Sequence, residues 1–196
     1  MIFDERKPSY TVPAEHKALF LDRDGVINSD FGHVYRIEDF HLLPSVLSSC
    51  RRFHDAGYKL VVVTNQAGIA KGYYTVEDFR TLSHWMSDLF LNAGAPLSGI
   101  YYCPHHPNAS IKELKVTCNC RKPAPGLFLQ AKQELNLDMK HSILVGDKPS
   151  DILAARTAGI EQCYLISHES LETISPILNP PPVSIRSLRE LCEILL

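Results

Sequence analysis

Three short apolar runs constrain this chain most, because each stops abruptly in polar residues. Leu19-Phe20-Leu21 passes into Asp22-Arg23-Asp24-Gly25. Lys59-Leu60-Val61-Val62-Val63 passes into Thr64-Asn65-Gln66, and Ser142-Ile143-Leu144-Val145 into Gly146-Asp147-Lys148. Continuous apolar runs of strand length, without polar alternation, read as strands buried on both faces. The whole order reads strand, helix, strand, helix, strand, long loop, helix, strand, helix, strand. Strands are expected at about 18–21, 59–63, 99–102, 142–145 and 162–166. Helices are expected after Pro44, Thr75, Pro125 and Pro149, with a last one near 187–196. Proline suits a first helical turn, where its missing N–H costs nothing. Thr75-Val76-Glu77-Asp78 fits a capping box. Such alternation predicts an α/β fold: a Rossmann-like parallel sheet with helices on both faces.

In an open parallel sheet, ligands sit beyond the carboxyl ends of the strands. Asp22, Thr64 and Asp147 each follow a strand, so they are expected to meet at one edge. Alternate residues of an extended chain point the same way, which would aim Asp22 and Asp24 into one pocket. Two such carboxylates repel unless a cation or a proton lies between them. Cys120-Arg121-Lys122-Pro123 adds two adjacent cations before a predicted helix. Asp24 to Thr64 leaves room for a loop and one helix but no separate cap domain, so the site should be open and shielded only by loops.

A chain of 196 residues, 45% hydrophobic, suits a single domain over 1–196. Its formal net charge of −2 offers no broad electrostatic case for nucleic acid or an acidic membrane. No apolar run approaches the roughly 20 residues of a membrane-spanning helix. The first 17 residues are polar, lack a secretory pattern, and are expected to form an arm or an added sheet edge. Monomeric state is the expectation for an open site in a small domain.

Of the six cysteines, Cys50, Cys163 and Cys192 lie among apolar residues and read as core filling. Cys103-Pro104-His105 and Cys118-Asn119-Cys120 offer three thiolates and one imidazole. That is a complete tetrahedral set with no open position, as in structural Zn²⁺ sites. His106 could replace His105, and free thiols or a redox pair at Cys118 and Cys120 are the other readings. Arg121 and Lys122 follow Cys120 directly, so a metal clip over the loop at about 103–120 would fix where they stand. Disulfides are not needed at this size, and the compartment reads as reducing, hence cytoplasm.

The motifs at Asp22/Asp24, Thr64, Lys122 and Asp147/Asp151, in that order, resemble those of the haloacid dehalogenase (HAD) superfamily of phosphotransfer enzymes. Asp22-Arg23-Asp24-Gly25-Val26-Ile27-Asn28, Thr64 to Ala70, Tyr102-Cys103-Pro104-His105-His106-Pro107 and Cys118 to Pro123 look like the D-glycero-D-manno-heptose 1,7-bisphosphate 7-phosphatase family. The resemblance covers about residues 18–166. It implies that Asp22 attacks phosphorus, that Asp24 is general acid and then base, and that Thr64 and Lys122 hold phosphate oxygens. It implies Mg²⁺ on Asp22, Asp147 and the Asp24 carbonyl, and Zn²⁺ on the cysteine loop. It places sugar contacts at Asp30, Phe31, Gly32 and His33, although the family commonly has tyrosine where this chain has His33. Asn65 and Gln66 fall in the same substrate set, Arg121 reads the substrate, and Lys148 lies near the phosphate. Histidinol-phosphate phosphatase is the near alternative, and a zinc-tied interaction domain with a dead site the distant one. A second phosphate would want cations, here Lys71, Arg121 and Lys148, whereas an imidazole cation would want carboxylates.

Overall fold

The computed structural model describes residues 16–167 and 178–196; most of the expected arm at 1–17 lies outside them. Its centre is β1, Ala18–Leu21, with every residue buried. β1 pairs in parallel with β2 (Lys59–Asn65) on one side and with β4 (Ile143–Gly146) on the other. The sheet continues through β3 (Leu97–Cys103) beyond β2, and through β5 (Gln162–Ile166) and β6 (Val183–Ile185) beyond β4. Its order is β3-β2-β1-β4-β5-β6, with all neighbours parallel.

Alternation along each strand splits the core in two. Leu19, Leu21, Leu60, Val62, Ile143 and Val145 face one layer. That layer is covered by α1 (Val46–Asp55), α3 (Val76–Asn92) and a C-terminal helix α6 (Leu188–Leu195). Ala18, Phe20, Val61, Val63 and Leu144 face the other, under α4 (Gly126–Leu135) and α5 (Pro149–Thr157). Burying each such side chain is worth about 1.5–3 kcal/mol, so the sheet centre is the most stabilised part of the fold. Among the described residues no helix is long and apolar enough to cross a membrane.

The expected strands and main helices are all present, and β2 and β3 extend a few residues further than expected. The capping box at Thr75 forms in both directions: Thr75 Oγ1 accepts from the Asp78 N–H at 3.1 Å, and Asp78 Oδ2 from the Thr75 N–H at 2.8 Å. Three details depart from the expectation. Of the prolines, only Pro149 sits inside a first helical turn; Pro125 is an N-cap, and α1 begins after Ser45 in left-handed backbone. A single-turn helix, α2 (Ala67–Ala70), follows β2 directly. β6 lies behind a proline-rich stretch and is too short for any periodicity to show.

Candidate active site

β1 is the point at which the strand order turns: the chain goes from β1 out to β2 and β3, then returns to lay β4 on β1's other side. The ends of β2 and β4 diverge there and leave a crevice at the carboxyl edge. A cleft of about 190 Å³ occupies it, lined among others by Asp22, Asp24, Thr64, Lys122 and Asp151.

Asp22 follows the last residue of β1, its N–H donating to the Val145 carbonyl at 3.0 Å. The strand has already ended, so extended-chain alternation does not aim the two aspartates. A turn does: the Arg23 carbonyl accepts from the Ile27 N–H at 2.8 Å, and Gly25 has φ +85°. A Cβ on Gly25 would lie 2.5 Å from Asp147 Oδ2, so glycine is required both for the backbone angle and for the approach of Asp147.

The Asp24 carboxylate is clamped. Arg23 Nη2 donates to both its oxygens at 2.8 Å, Asn28 Nδ2 to Oδ1 at 3.0 Å, and Gln66 Nε2 to Oδ2 at 3.2 Å. Arg23 is 1% exposed, and Nη2 also donates to the Val34 carbonyl at 2.6 Å. Sequence reading quoted Arg23 in its motif without giving it a task; an arginine between two aspartates was the available signal. Gln66 Nε2 donates to Thr64 Oγ1 at 2.9 Å as well, while Tyr74 OH donates to Gln66 Oε1 at 2.5 Å. The Gln66 side chain thus holds Asp24 and Thr64, and Gln66 also lines the cleft.

Lys122 is 3% exposed, yet its Nζ lies 3.1 Å from Asp22 Oδ1, 2.7 Å from Asp151 Oδ1 and 2.8 Å from the Val63 carbonyl. Burial opposes its charge, but Asp151 and Asp22 outweigh burial and hold the ammonium above the ordinary lysine range. Asn65 fixes its backbone: the Lys122 N–H donates to Asn65 Oδ1 and Asn65 Nδ2 to the Lys122 carbonyl, both at 3.1 Å. Asn65, expected to touch substrate, also lines the cleft.

Oxygens of Asp22, Asp147 and Asp151 lie within 4.8 Å of one another. Asp147 Oδ1 is buried with no hydrogen-bond partner, and burial, then Asp22, push that carboxyl up to about 7. Surplus buried negative charge with an oxygen-only donor set fits a Mg²⁺ ion. The third carboxylate of the cluster is Asp151, to which sequence reading gave no task; the Asp24 side chain is turned to its own clamp. Asp151 Oδ2 also accepts from the Lys148 N–H at 3.0 Å, tying the start of α5 to the site.

Lys148 Nζ bridges Asp30 Oδ2 and Asp147 Oδ2, both at 3.2 Å. Gly32 and His33 line the cleft. Phe31 is not among those lining residues; it is 69% exposed and meets the His41 ring edge-on. Arg121 also lies outside the lining residues, its Nη1 donating to the His105 carbonyl at 3.2 Å.

Beside this cleft the cysteine loop closes on itself. Cys120 Sγ is 3.2 Å from Cys103 Sγ, from Cys118 Sγ and from His105 Nδ1; Cys103 and Cys118 are 3.6 Å apart. All three cysteines are free thiols. His105 is the imidazole of the cluster, whereas His106 Nδ1 accepts from the Asn108 N–H. The donors are those of a closed tetrahedral metal site. The loop packs tightly on the start of α4: a Cβ on Gly126 would stand 2.3 Å from the Asn119 carbonyl oxygen.

Comparison with known proteins agrees with this geometry. A family model described as "HAD-hyrolase-like" matches residues 119–172. The chain is 50% identical over 149 residues to a D-glycero-beta-D-manno-heptose-1,7-bisphosphate 7-phosphatase of Yersinia pestis, covering 76% of this chain and 79% of that one. It is 49% identical over 152 residues to the alpha-anomer enzyme of Burkholderia mallei, covering 78% and 80%. The crystal structure of D,D-heptose 1,7-bisphosphate phosphatase from B. bronchiseptica, complexed with magnesium and phosphate, superposes with a TM-score of 0.78 at 27% identity, over 91% of this chain and 97% of that one.

Proposed function

Because the chain belongs to the D-glycero-D-manno-heptose 1,7-bisphosphate 7-phosphatase family of the HAD superfamily, we propose that it is a Mg²⁺-dependent phosphomonoesterase removing the 7-phosphate of that bisphosphate. The observation that carries this reading is the convergence of Asp22, Asp24, Thr64 and Lys122 on one cleft. A phosphate ester repels nucleophiles by its own charge, so catalysis is chiefly positioning and neutralisation. Asp22 attacks phosphorus and becomes an aspartyl-phosphate. Asp24, held by Arg23, Asn28 and Gln66, gives a proton to the leaving sugar oxygen and then takes one from the hydrolytic water. Lys122 and Thr64 hold the remaining phosphate oxygens. When bound on Asp22, Asp147 and the Asp24 carbonyl, Mg²⁺ supplies positive charge against the phosphate. The reading takes residues 1–196 as one catalytic domain, monomeric and cytoplasmic, supported by the single six-stranded sheet at whose carboxyl edge the cleft lies and by the free thiols.

Phosphate release from heptose 1,7-bisphosphate and from histidinol phosphate, measured side by side with Mg²⁺, tests the substrate. The expected result is a strong preference for the bisphosphate with the 1-phosphate left on the product. Preference for histidinol phosphate would keep the chemistry and overturn the substrate; silence on both would favour a dead site.

Zn²⁺ on Cys103, His105, Cys118 and Cys120 is the metal we assign to the loop, supported by the donor set and spacing. Bound there, it would supply a rigid tie and no chemistry. Its reach to the site runs through Cys120, Arg121 and Lys122 in sequence. Cys118→Ser is expected to lose zinc, measured by metal analysis, and to lower turnover by about 10-fold or more through a displaced Lys122. Full turnover in protein shown to lack zinc would count against that coupling.

Tyr74→Phe tests the Asp24 clamp. It leaves buried Gln66 Oε1 without its donor, at a cost of about 1–3 kcal/mol. Turnover is expected to fall by about 10-fold, mostly in kcat, because Asp24 is no longer fixed. A variant that loses stability but keeps the wild-type kcat would leave Tyr74 a packing residue only.

A further inference from the structure

Three cations were candidates for a second phosphate, and the fold sorts them. Lys148 is already neutralised by Asp30 and Asp147. Arg121 is turned to the His105 carbonyl, outside the cleft lining. Lys71 differs from both: its Nζ meets a neutral-capable partner, His33 Nε2, at 3.5 Å, and among the described residues no carboxylate lies within ion-pair distance of it.

The surroundings of Lys71 are built. His33 lines the cleft with its backbone at φ +58°, a conformation that side chains other than glycine seldom adopt. Its ring stands edge-on to Tyr73 at 4.8 Å between centroids, and Lys71 Nζ lies 5.8 Å from the centre of the same Tyr73 ring. The turn after α2 that carries Lys71 is braced by the cysteine loop, where the Ser110 and Ile111 N–H groups both donate to the Ala70 carbonyl at 2.9 and 3.0 Å. An ammonium held by an imidazole and an aromatic face, one side chain from the catalytic cleft and without a counter-charge, suits an anion brought by the ligand.

We propose that Lys71, positioned by His33 and Tyr73, forms a subsite for the second, unreacted phosphate of a sugar bisphosphate. This rests on the bisphosphate reading above. A neutral His33 with Nε2 unprotonated accepts a hydrogen bond from one N–H of the Lys71 ammonium and leaves two N–H groups for phosphate oxygens. The substrate then spans from Asp22 at the floor to Lys71 at the rim, and a monoester lacking the second phosphate makes only the floor contacts.

The experiment compares kcat/KM for heptose 1,7-bisphosphate with that for p-nitrophenyl phosphate, in wild type, Lys71→Met and Lys71→Arg, with thermal melts to register folding. The expected result is that Lys71→Met lowers the bisphosphate-to-monoester ratio by about 10- to 100-fold, mostly through KM, while Lys71→Arg restores most of it. A wild-type preference for the bisphosphate that survives Lys71→Met would overturn the subsite alone. A wild type with no such preference would overturn the substrate reading and the subsite with it.

Discussion

Asp22→Asn is expected to abolish turnover, by roughly 10⁴-fold or more, in a protein that still folds. The amide keeps the shape of the carboxylate but cannot attack phosphorus. Its place at the end of β1 depends on a backbone hydrogen bond to Val145, which the substitution leaves alone. Its loss also removes one of the charges crowded with Asp147 and Asp151, so the folded state sheds repulsion as well as an ion-pair partner of Lys122. A thermal melt within a few degrees of wild type, together with absent phosphate release, is the expected pair of results. Near-normal turnover would sink the covalent mechanism whatever the melt showed.

Lys122→Met is expected to cost both stability and turnover. It leaves Asp22 and Asp151 buried without their cation, for which breaking a buried pair suggests about 3–5 kcal/mol. It also frees the Val63 carbonyl at the end of β2. Mg²⁺ carries the replacement charge, so the melting temperature of the variant should rise on adding Mg²⁺ by more than that of wild type does. Turnover should stay low even with saturating Mg²⁺, because the contact proposed between the lysine and the transferring phosphate is gone. Equal Mg²⁺ responses in the two proteins would separate Lys122 electrostatically from the carboxylate cluster and contradict the arrangement described here.

The two variants mark how much of the site could be read before folding. Asp22 and Asp147 were legible because a strand buried on both faces is an uninterrupted apolar run, so the first charge after it marks the strand end. From its own neighbourhood Lys122 was legible only as a cation near the cysteine pair, and its phosphate-holding role came from the family resemblance; nothing local shows that it reaches the ends of β1 and β2 and the start of α5. The hydrogen-bond partners of Asp151, Asn65, Gln66 and Tyr74 were illegible for a related reason. Each meets a group on a different element or loop, and a side chain's partner across the sheet leaves no trace in its own neighbourhood; Arg23, between two aspartates, did carry a local signal. The exposure of Phe31 was equally illegible, because a loop position says nothing about which way its ring turns. His105 and His106 are adjacent in the same loop, and only the closure of the loop separates the cluster member from its neighbour.

By itself the sequence determined the element types, the parallel character of the sheet and the identity of the strand-end carboxylates. Those follow from burial and periodicity, which act over a few residues at a time. Tertiary structure decided the order β3-β2-β1-β4-β5-β6, hence which strand ends share a crevice. It also decided that Asp24 is clamped, that Lys122 is buried between two aspartates, and that among the described residues Lys71 meets no carboxylate while Lys148 meets two. Charge interactions and hydrogen bonds reach only a few ångströms and depend on orientation, so their outcome exists only once the chain has brought distant residues side by side.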